Sequence, residues 1–239
     1  MASELAENYD IIVVTPHPDD AEIGIGGIMA RASDEGYKVL LTNLTDGEPT
    51  PLGNHETRMV EAKNAADILG IDRLTLDLVN RRVFDDFESR ITLADIFRRF
   101  HPEIVITMGG RTVTANPDHG QCQMLAEAAV FYSRLTKWEK HFSYPPWTVK
   151  RFYYFPVATM REETPQNTFL IDISDQFDRK MKSIRAYKSQ FPDNERTRGF
   201  LYWIENTFRS LGGTIGVEAA EGLKSPRLLK IPLAKIFSL

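Results

Sequence analysis

Four times in succession, a short and continuously apolar segment is followed by a segment whose apolar residues recur at helical spacing. The predicted strands cover 9–15, 38–44, 74–78 and 103–108, and the predicted helices cover 20–36, 55–69, 88–100 and 118–134. Strands without a polar face are typical of a parallel sheet that helices cover on both sides. We therefore predict an α/β fold: a Rossmann-like three-layer sandwich with a mostly parallel sheet, in a single domain. Right-handed crossovers favour the strand order 3-2-1-4 in such a sheet.

The regular alternation ends near Trp147. Further strands are predicted at 151–155 and 169–173, and further helices at 174–190 and 193–211. We expect one domain over 1–239, with the Rossmann-like part at about 8–150 and C-terminal strands and helices at about 151–239. We expect the mixed tail, Gly216 to Leu239, to cover a sheet edge or to contact another subunit, and the protein to form a homo-oligomer.

The composition argues against several partners. The net charge is −4, and no long basic block is present, so we expect no nucleic-acid partner. No apolar run approaches the ~20 residues of a membrane span, and the acidic N-terminus lacks a signal-peptide pattern. The single cysteine, Cys122, excludes an internal disulfide and favours a reducing compartment. We therefore expect a cytoplasmic protein.

The first predicted strand runs into an unusual polar segment, Thr15-Pro16-His17-Pro18-Asp19-Asp20-Ala21-Glu22. One imidazole and two adjacent carboxylates thus lie where the first helix begins. In an open α/β sheet this point belongs to the crevice at the carboxyl ends of the strands, where ligands bind. A capping Asp beside an incidental His is the purely structural alternative. The combination favours half of a metal site, with a spare carboxylate beside it.

A second polar segment, Asn116-Pro117-Asp118-His119, follows the fourth predicted strand. Strands one and four are neighbours in the order 3-2-1-4, so the loops that leave them should meet. His17, Asp20 and His119 would then form a set of two His and one carboxylate with an open coordination position. Catalytic zinc is bound in this way, although Fe(II) in oxygenases uses the same ligand types.

Asp19 is the candidate general base of this site. Adjacent side chains in a tight turn do not easily reach one ion, so one carboxylate would bind the metal and the other would face the attacking water. This division of roles and the parallel α/β scaffold favour hydrolysis with zinc over oxygen chemistry.

Two other features are predicted to be structural. Gly24-Ile25-Gly26-Gly27 resembles part of a dinucleotide-binding loop, but it lies inside a predicted helix and lacks the third glycine, since Met29 stands there. Close packing of the helix on the sheet is the favoured reason for these glycines. Cys122 has no adjacent catalytic motif and is predicted to be a core residue.

These motifs carry a family resemblance. The chain resembles the PIG-L/LmbE family of zinc-dependent deacetylases, which remove acetyl groups from N-acetylglucosamine conjugates, and within it the branch of bacillithiol-pathway deacetylases. The similarity covers most of the chain. Besides the two polar segments it includes Leu44-Thr45-Asp46-Gly47-Glu48, Arg58 with Glu61-Ala62-Lys63, the run from Ile171 to Phe191, and Gly216-Val217-Glu218-Ala219.

The resemblance implies a role for each matched residue. His17, Asp20 and His119 would hold zinc, Asp19 would be the general base, and Asp118 would orient a neighbouring catalytic group. The substrate-binding residues would be Glu48, Arg58, Asn80 and Arg81, with Arg58 contacting the sugar or its aglycone.

The chain departs from the family pattern at two positions. Asn116 replaces a His that stabilises the oxyanion or protonates the leaving amine; an amide can donate a hydrogen bond but cannot exchange a proton. Asn80, in Val79-Asn80-Arg81, replaces an Asp that contacts sugar hydroxyls, and its amide reproduces only part of that hydrogen bonding.

We therefore predict a metal-dependent hydrolase that removes the N-acetyl group from an amino-sugar conjugate of the N-acetylglucosamine type. Asp19 would be the base, and Asn116 would donate to the oxyanion. Zn²⁺ is the expected cofactor, with another divalent metal as the alternative. Two functional alternatives remain: a catalytically weak, metal-dependent sugar-binding protein, and a hydrolase of a non-sugar amide.

Overall fold

The computed structural model describes residues 5, 7–109, 115–156 and 168–230. The strands are β1 (Ile11–Thr15), β2 (Val39–Asn43), β3 (Asp72–Thr75), β4 (Ile104–Gly109), β5 (Arg151–Pro156), β6 (Thr168–Asp172) and β7 (Ala220–Lys224). The α-helices are α1 (Asp20–Asp34), α2 (His55–Leu69), α3 (Phe87–Phe100), α4 (Pro117–Ser133), α5 (Phe177–Arg185) and α6 (Glu195–Thr214). Two short 3₁₀ helices lie at Glu139–His141 and Ser174–Gln176.

One seven-stranded sheet joins all these strands in the order β3-β2-β1-β4-β5-β7-β6. The strands from β3 to β5 are parallel, whereas β7 is antiparallel to both of its neighbours. The predicted order 3-2-1-4 and the predicted mostly parallel sheet are thus confirmed. Because β1 and β4 are adjacent and parallel, their carboxyl ends lie side by side.

Helices pack on both faces of the sheet, which makes three layers. Val13 and Leu41 point to one face and join a core with residues of α1, α5 and α6. Ile12 and Leu40, their neighbours in sequence, point to the other face and pack with α3 and α4. Successive strand residues alternate between faces, so strands buried on both sides need apolar residues at every position. The predicted fold class is confirmed.

Three element boundaries differ from the sequence prediction. The third strand lies at Asp72–Thr75 rather than 74–78, because it is a half-buried edge strand that begins with two charged residues, Asp72 and Arg73, and so lacks a continuous apolar run. The helix predicted at 174–190 consists of a 3₁₀ turn and α5, and α5 ends at Arg185. β7, inside the predicted mixed tail, was not predicted because Glu221 and Gly222 are poor strand formers.

The tail does not cover an edge in its described part, since β7 is inserted between β5 and β6. Residues 231–239 of the predicted tail lie outside the described residues. Among the helices of the described residues, none has the length and apolar character that crossing a membrane requires.

Candidate metal centre and active site

Side chains from the two predicted loops meet above the carboxyl ends of β1 and β4. One ligand atom each from His17, Asp20 and His119 lies within 4.8 Å of the other two. His17 Nδ1 is 3.2 Å from Asp20 Oδ2, and His119 Nε2 is 3.3 Å from Asp20 Oδ1. Asp20 is the first residue of α1, and His119 lies in the first turn of α4.

These separations fit a divalent metal ion. Each imidazole nitrogen lies at 3.2–3.3 Å from one oxygen of Asp20, close to the separation of about 3.3 Å between tetrahedral ligands that are ~2.0–2.1 Å from zinc. His17 faces Oδ2 and His119 faces Oδ1, and one ligand atom from each residue lies within 4.8 Å of the others. The donors are two imidazole nitrogens and a carboxylate oxygen, the ligand types of catalytic zinc. His17 is buried, and Asp20 and His119 are partly buried.

Asp118 contacts Nε2 of His17, whereas the other ring nitrogen, Nδ1, faces Asp20. Oδ2 of Asp118 lies 3.2 Å from His17 Nε2, in the arrangement by which a carboxylate orients a metal-binding imidazole. Burial opposes a charged imidazole, but the hydrogen bonds to Asp118 and Asp20 outweigh it and raise the pKa of His17 to about 10. The surroundings of His17 therefore favour positive charge. The orienting role of Asp118 stays a prediction.

Asp20 is held in its ionised form. Burial acts to raise the pKa of its carboxyl, but hydrogen bonds to His119 and His17 prevail and hold it well below the usual range. A carboxylate that is ionised over the whole ordinary pH range is a suitable metal ligand.

Asp19 has different surroundings, although it precedes Asp20 directly. Its φ of 98° lies in a region that non-glycine residues rarely adopt, and its side chain does not cap α1. Its Oδ2 accepts a hydrogen bond of 3.0 Å from Arg58 Nη2, which also donates to the carbonyl of Pro18 at 2.6 Å. Burial raises the pKa of Asp19 to about 7, against the lowering effect of Arg58. The strained backbone and the Arg58 contacts give Asp19 its own orientation, separate from the ligand set.

Asn116 is the N-cap of α4. Its Oδ1 accepts from the backbone N–H of Asp118 at 3.1 Å, while Nδ2 lies 3.3 Å from His17 Nε2. Asn116 therefore has a structural role and also lies beside the candidate ligands.

The predicted substrate residues differ in exposure. Arg58 is 2% exposed, and two of its nitrogens, Nε and Nη1, have no hydrogen-bond partner among the described residues. Asn80 is also buried; its Nδ2 donates to the carbonyl of Gly47 at 2.6 Å, whereas its Oδ1 has no partner there. Glu48 accepts from the backbone and hydroxyl of Thr50. Arg81 is exposed, and its backbone N–H donates to Asp118 at 2.6 Å.

A buried polar chain below the first loop was missed by the sequence reasoning. Asn43 Nδ2 donates to the carbonyl of His17 at 3.0 Å, and Asn43 Oδ1 accepts from Arg73 at 2.5 Å. Arg73 also pairs with Glu22, which accepts a hydrogen bond of 2.7 Å from the hydroxyl of Tyr187. The only signal in the sequence was Asn43 itself, a polar residue at the end of an apolar strand.

Comparison with known proteins assigns the chain and its fold to a family. The family model PIG-L, described as GlcNAc-PI de-N-acetylase, matches residues 12–130, a span that includes both loops of the site. The chain belongs to the PIG-L family. A conserved protein of Thermus thermophilus with a crystal structure is 33% identical, and the match covers 94% of this chain and 98% of that one with a TM-score of 0.84.

Curated relatives of this PIG-L chain carry two kinds of name. The diacetylchitobiose deacetylase of Thermococcus kodakarensis is 28% identical over 77% of this chain and 71% of its own length. The 4-oxalmesaconate hydratase of Pseudomonas putida is 27% identical over 75% of this chain and 73% of its own length. The family description and the deacetylase relative confirm the predicted enzyme class, an N-deacetylase.

Proposed function

We propose that this chain removes the N-acetyl group from an N-acetylglucosamine-type conjugate with the help of one Zn²⁺ ion, or another divalent metal, held by His17, Asp20 and His119. The observation that supports this most is the meeting of the three ligand atoms at metal-binding distances beside an unligated carboxylate, Asp19. The amino-sugar substrate class is supported by the family description and by the relative that acts on diacetylchitobiose.

The metal would supply Lewis acidity, which polarises the amide carbonyl and makes water more acidic. Asp19 accepts the proton of the attacking water, since its carboxylate lies beside the ligand set without belonging to it. Arg58 keeps that carboxylate in place through its hydrogen bond of 3.0 Å. Asp118 keeps the ring of His17 oriented through the contact of 3.2 Å at Nε2.

Asn116 cannot transfer a proton in this mechanism. Its Nδ2 can donate a hydrogen bond to the oxyanion, but an amide cannot protonate the departing amine. Asp19 then returns the proton that it accepted from water to the amine nitrogen as the C–N bond breaks. One carboxylate thus acts first as base and then as acid.

The segment after β2, which carries Glu48, and the segment after β3, which carries Asn80 and Arg81, would bind the sugar and its aglycone. The exposed guanidinium of Arg81 is available to the aglycone. Asn80 Oδ1 is buried and has no partner in the described part of the chain, so a hydrogen bond from a sugar hydroxyl would satisfy it. Gly47 lies next to the guanidinium of Arg58, and Glu48 follows Gly47 in the chain. Glu48 and Arg58 therefore belong to the same region.

The decisive experiment measures acetate release. The purified protein is stripped of metal with a chelator, reloaded with Zn²⁺, Mn²⁺ or Co²⁺, and incubated with N,N′-diacetylchitobiose and with monosaccharide conjugates of N-acetylglucosamine. We expect acetate release only from the reloaded protein.

Three other results would point to different functions. Sugar binding without acetate release would indicate a binding protein, and acetate release from acylated amines alone would indicate a non-sugar amidase. Hydration of 4-oxalmesaconate in place of acetate release would align the chain with the hydratase relative instead.

A further inference from the structure

Helix α1, which begins with Asp20, is broken in its second turn. Ile25 has φ −141° and ψ 29°, values outside the helical region. In a continuous helix the N–H of Gly27 would donate to the carbonyl of Ile23, four residues earlier. The break separates these two groups, so buried donors and acceptors on both sides of it need other partners.

A buried ion pair from the C-terminal part of the chain supplies those partners. Glu221, on β7, accepts hydrogen bonds from the N–H groups of Gly27 at 2.9 Å and Ile28 at 2.6 Å. Lys180, on α5, donates to the carbonyls of Glu22 at 3.1 Å and Ile23 at 2.6 Å. The two side chains also bind each other at 2.6 Å, and both are fully buried.

The neighbouring glycine lets the ion pair approach the helix. A Cβ atom on Gly26 would lie 3.2 Å from Cγ of Lys180, which is closer than an ordinary contact. On the other side, Nζ of Lys180 lies 3.8 Å from the centre of the Phe208 ring. Lys180 therefore packs closely between helix α1 and helix α6, and it is not a solvated surface lysine.

We infer that Lys180 and Glu221 are positioning residues, which direct the first turn of α1 so that Asp20 meets His17 and His119. The kink at Ile25 separates the first turn from the rest of the helix, and the carbonyls of Glu22 and Ile23 accept hydrogen bonds from Lys180. Asp20 lies two residues before the first of these carbonyls. The inference rests on the metal site proposed above, but the ion pair itself contacts none of its ligands in the described structure.

The test compares Glu221→Gln and Lys180→Met with Leu93→Ala. Glu221→Gln keeps the shape of the side chain and one acceptor oxygen. We therefore expect this variant to fold even if Lys180→Met fails to fold. Leu93 is a fully buried residue of α3 on the opposite face of the sheet, and its truncation lowers stability without touching α1. Each variant is studied by thermal unfolding, by competition for Zn²⁺ with a chromogenic chelator, and by crystallography of the metal-free protein.

We expect the Zn²⁺ dissociation constant to rise about 10-fold in the ion-pair variants, the lower end of the range for residues that contact metal ligands directly, because the pair acts through the backbone of α1. Leu93→Ala should keep the wild-type constant at a similar loss of thermal stability. In the metal-free crystal structure of Glu221→Gln, Asp20 should move away from its position 3.3 Å from His119.

The inference is overturned if Asp20 keeps that position in Glu221→Gln, whether or not any metal binds. It is also overturned if the folded variants bind Zn²⁺ as tightly as Leu93→Ala does. Failure of the wild-type protein to bind any divalent ion would instead contradict the proposed function, and the crystallographic comparison would still decide the positioning role.

Discussion

Asp19 and Asp20 are adjacent, but their contacts assign them different tasks. Asp20 faces the two imidazoles, whereas Asp19 faces Arg58. We expect Asp19→Asn to keep bound metal and to lower kcat by about 10²–10⁴-fold, the usual loss for a positioned base. Asp20→Ala should lose the metal instead. Metal analysis and acetate release, measured on the same preparations, check both expectations.

Asp34→Asn is the matched control for Asp19→Asn. It makes the same chemical change at the other end of α1, where the carboxylate pairs with Arg179 on the surface. Its metal content and kcat should equal those of the wild type. A full metal complement in Asp20→Ala, together with metal loss in Asp19→Asn, would mean that the two roles are reversed.

Asn116 combines a helix cap with a candidate catalytic donor, and two substitutions separate these functions. Ser is as good an N-cap as Asn, whereas Ala is not and costs about 1 kcal/mol. If Nδ2 donates to the oxyanion, both Asn116→Ser and Asn116→Ala should lower kcat by about 10²–10³-fold. Only the Ala variant should also unfold at a lower temperature. Wild-type turnover in Asn116→Ser would show that Asn116 only caps α4.

At the level of elements, the glycines of α1 test the close packing on which the position of the site depends. A Cβ on Gly24 would lie 2.4 Å from the ring of Phe155 on β5. We expect Gly24→Ala to destabilise the protein by about 1–3 kcal/mol, because the sheet and the helix would have to separate. Denaturant unfolding measures this change.

Gly199→Ala is the opposite case in α6. In the described part of the chain, no atom beyond the neighbouring backbone of α6 lies within 4 Å of the position that its Cβ would take, so the substitution should stabilise the helix by about 0.5–1 kcal/mol. Equal effects of the two substitutions would contradict the packing argument, since both exchange glycine for alanine inside a helix.

At the scale of the whole molecule, the α/β core and the metal site should be separable. The core packs on both faces of the sheet, and the ligands lie at the carboxyl ends of the inner strands β1 and β4. Zn²⁺ at about 100 times its dissociation constant should add about 2.7 kcal/mol of stability. For a domain of this size that corresponds to an increase of roughly 5–10 °C in Tm.

His119→Ala should fold but lose this increase in Tm, because it removes one ligand and leaves the core intact. His141→Ala, in a 3₁₀ helix away from the site, should keep it. Differential scanning calorimetry with and without the metal gives both values. A Zn²⁺-dependent increase of wild-type size in His119→Ala would exclude His119 as a ligand.

Much of the fold was predictable because local patterns carry it. Strands buried on both faces need apolar residues at every position, and this is visible in 11–14 and 39–41 without any structure. The crossover rule then makes β1 and β4 neighbours, and the approach of His17 to His119 follows from that order. The sequence alone therefore determined the sheet order, the two loops and the candidate ligands.

The tertiary structure alone decided how the charged residues are used. Arg58, Lys180 and Glu221 resemble solvated surface residues in the sequence, yet all three are buried. Their burial depends on partners far away in the chain: Lys180 binds carbonyls more than 150 residues earlier. Burying a charge is costly unless a partner compensates it, and no local pattern records such a partner. The strand β7 was missed because Glu221 and Gly222 are poor strand formers by themselves; its pairing and the buried charge of Glu221 exist only once the sheet and α1 are assembled.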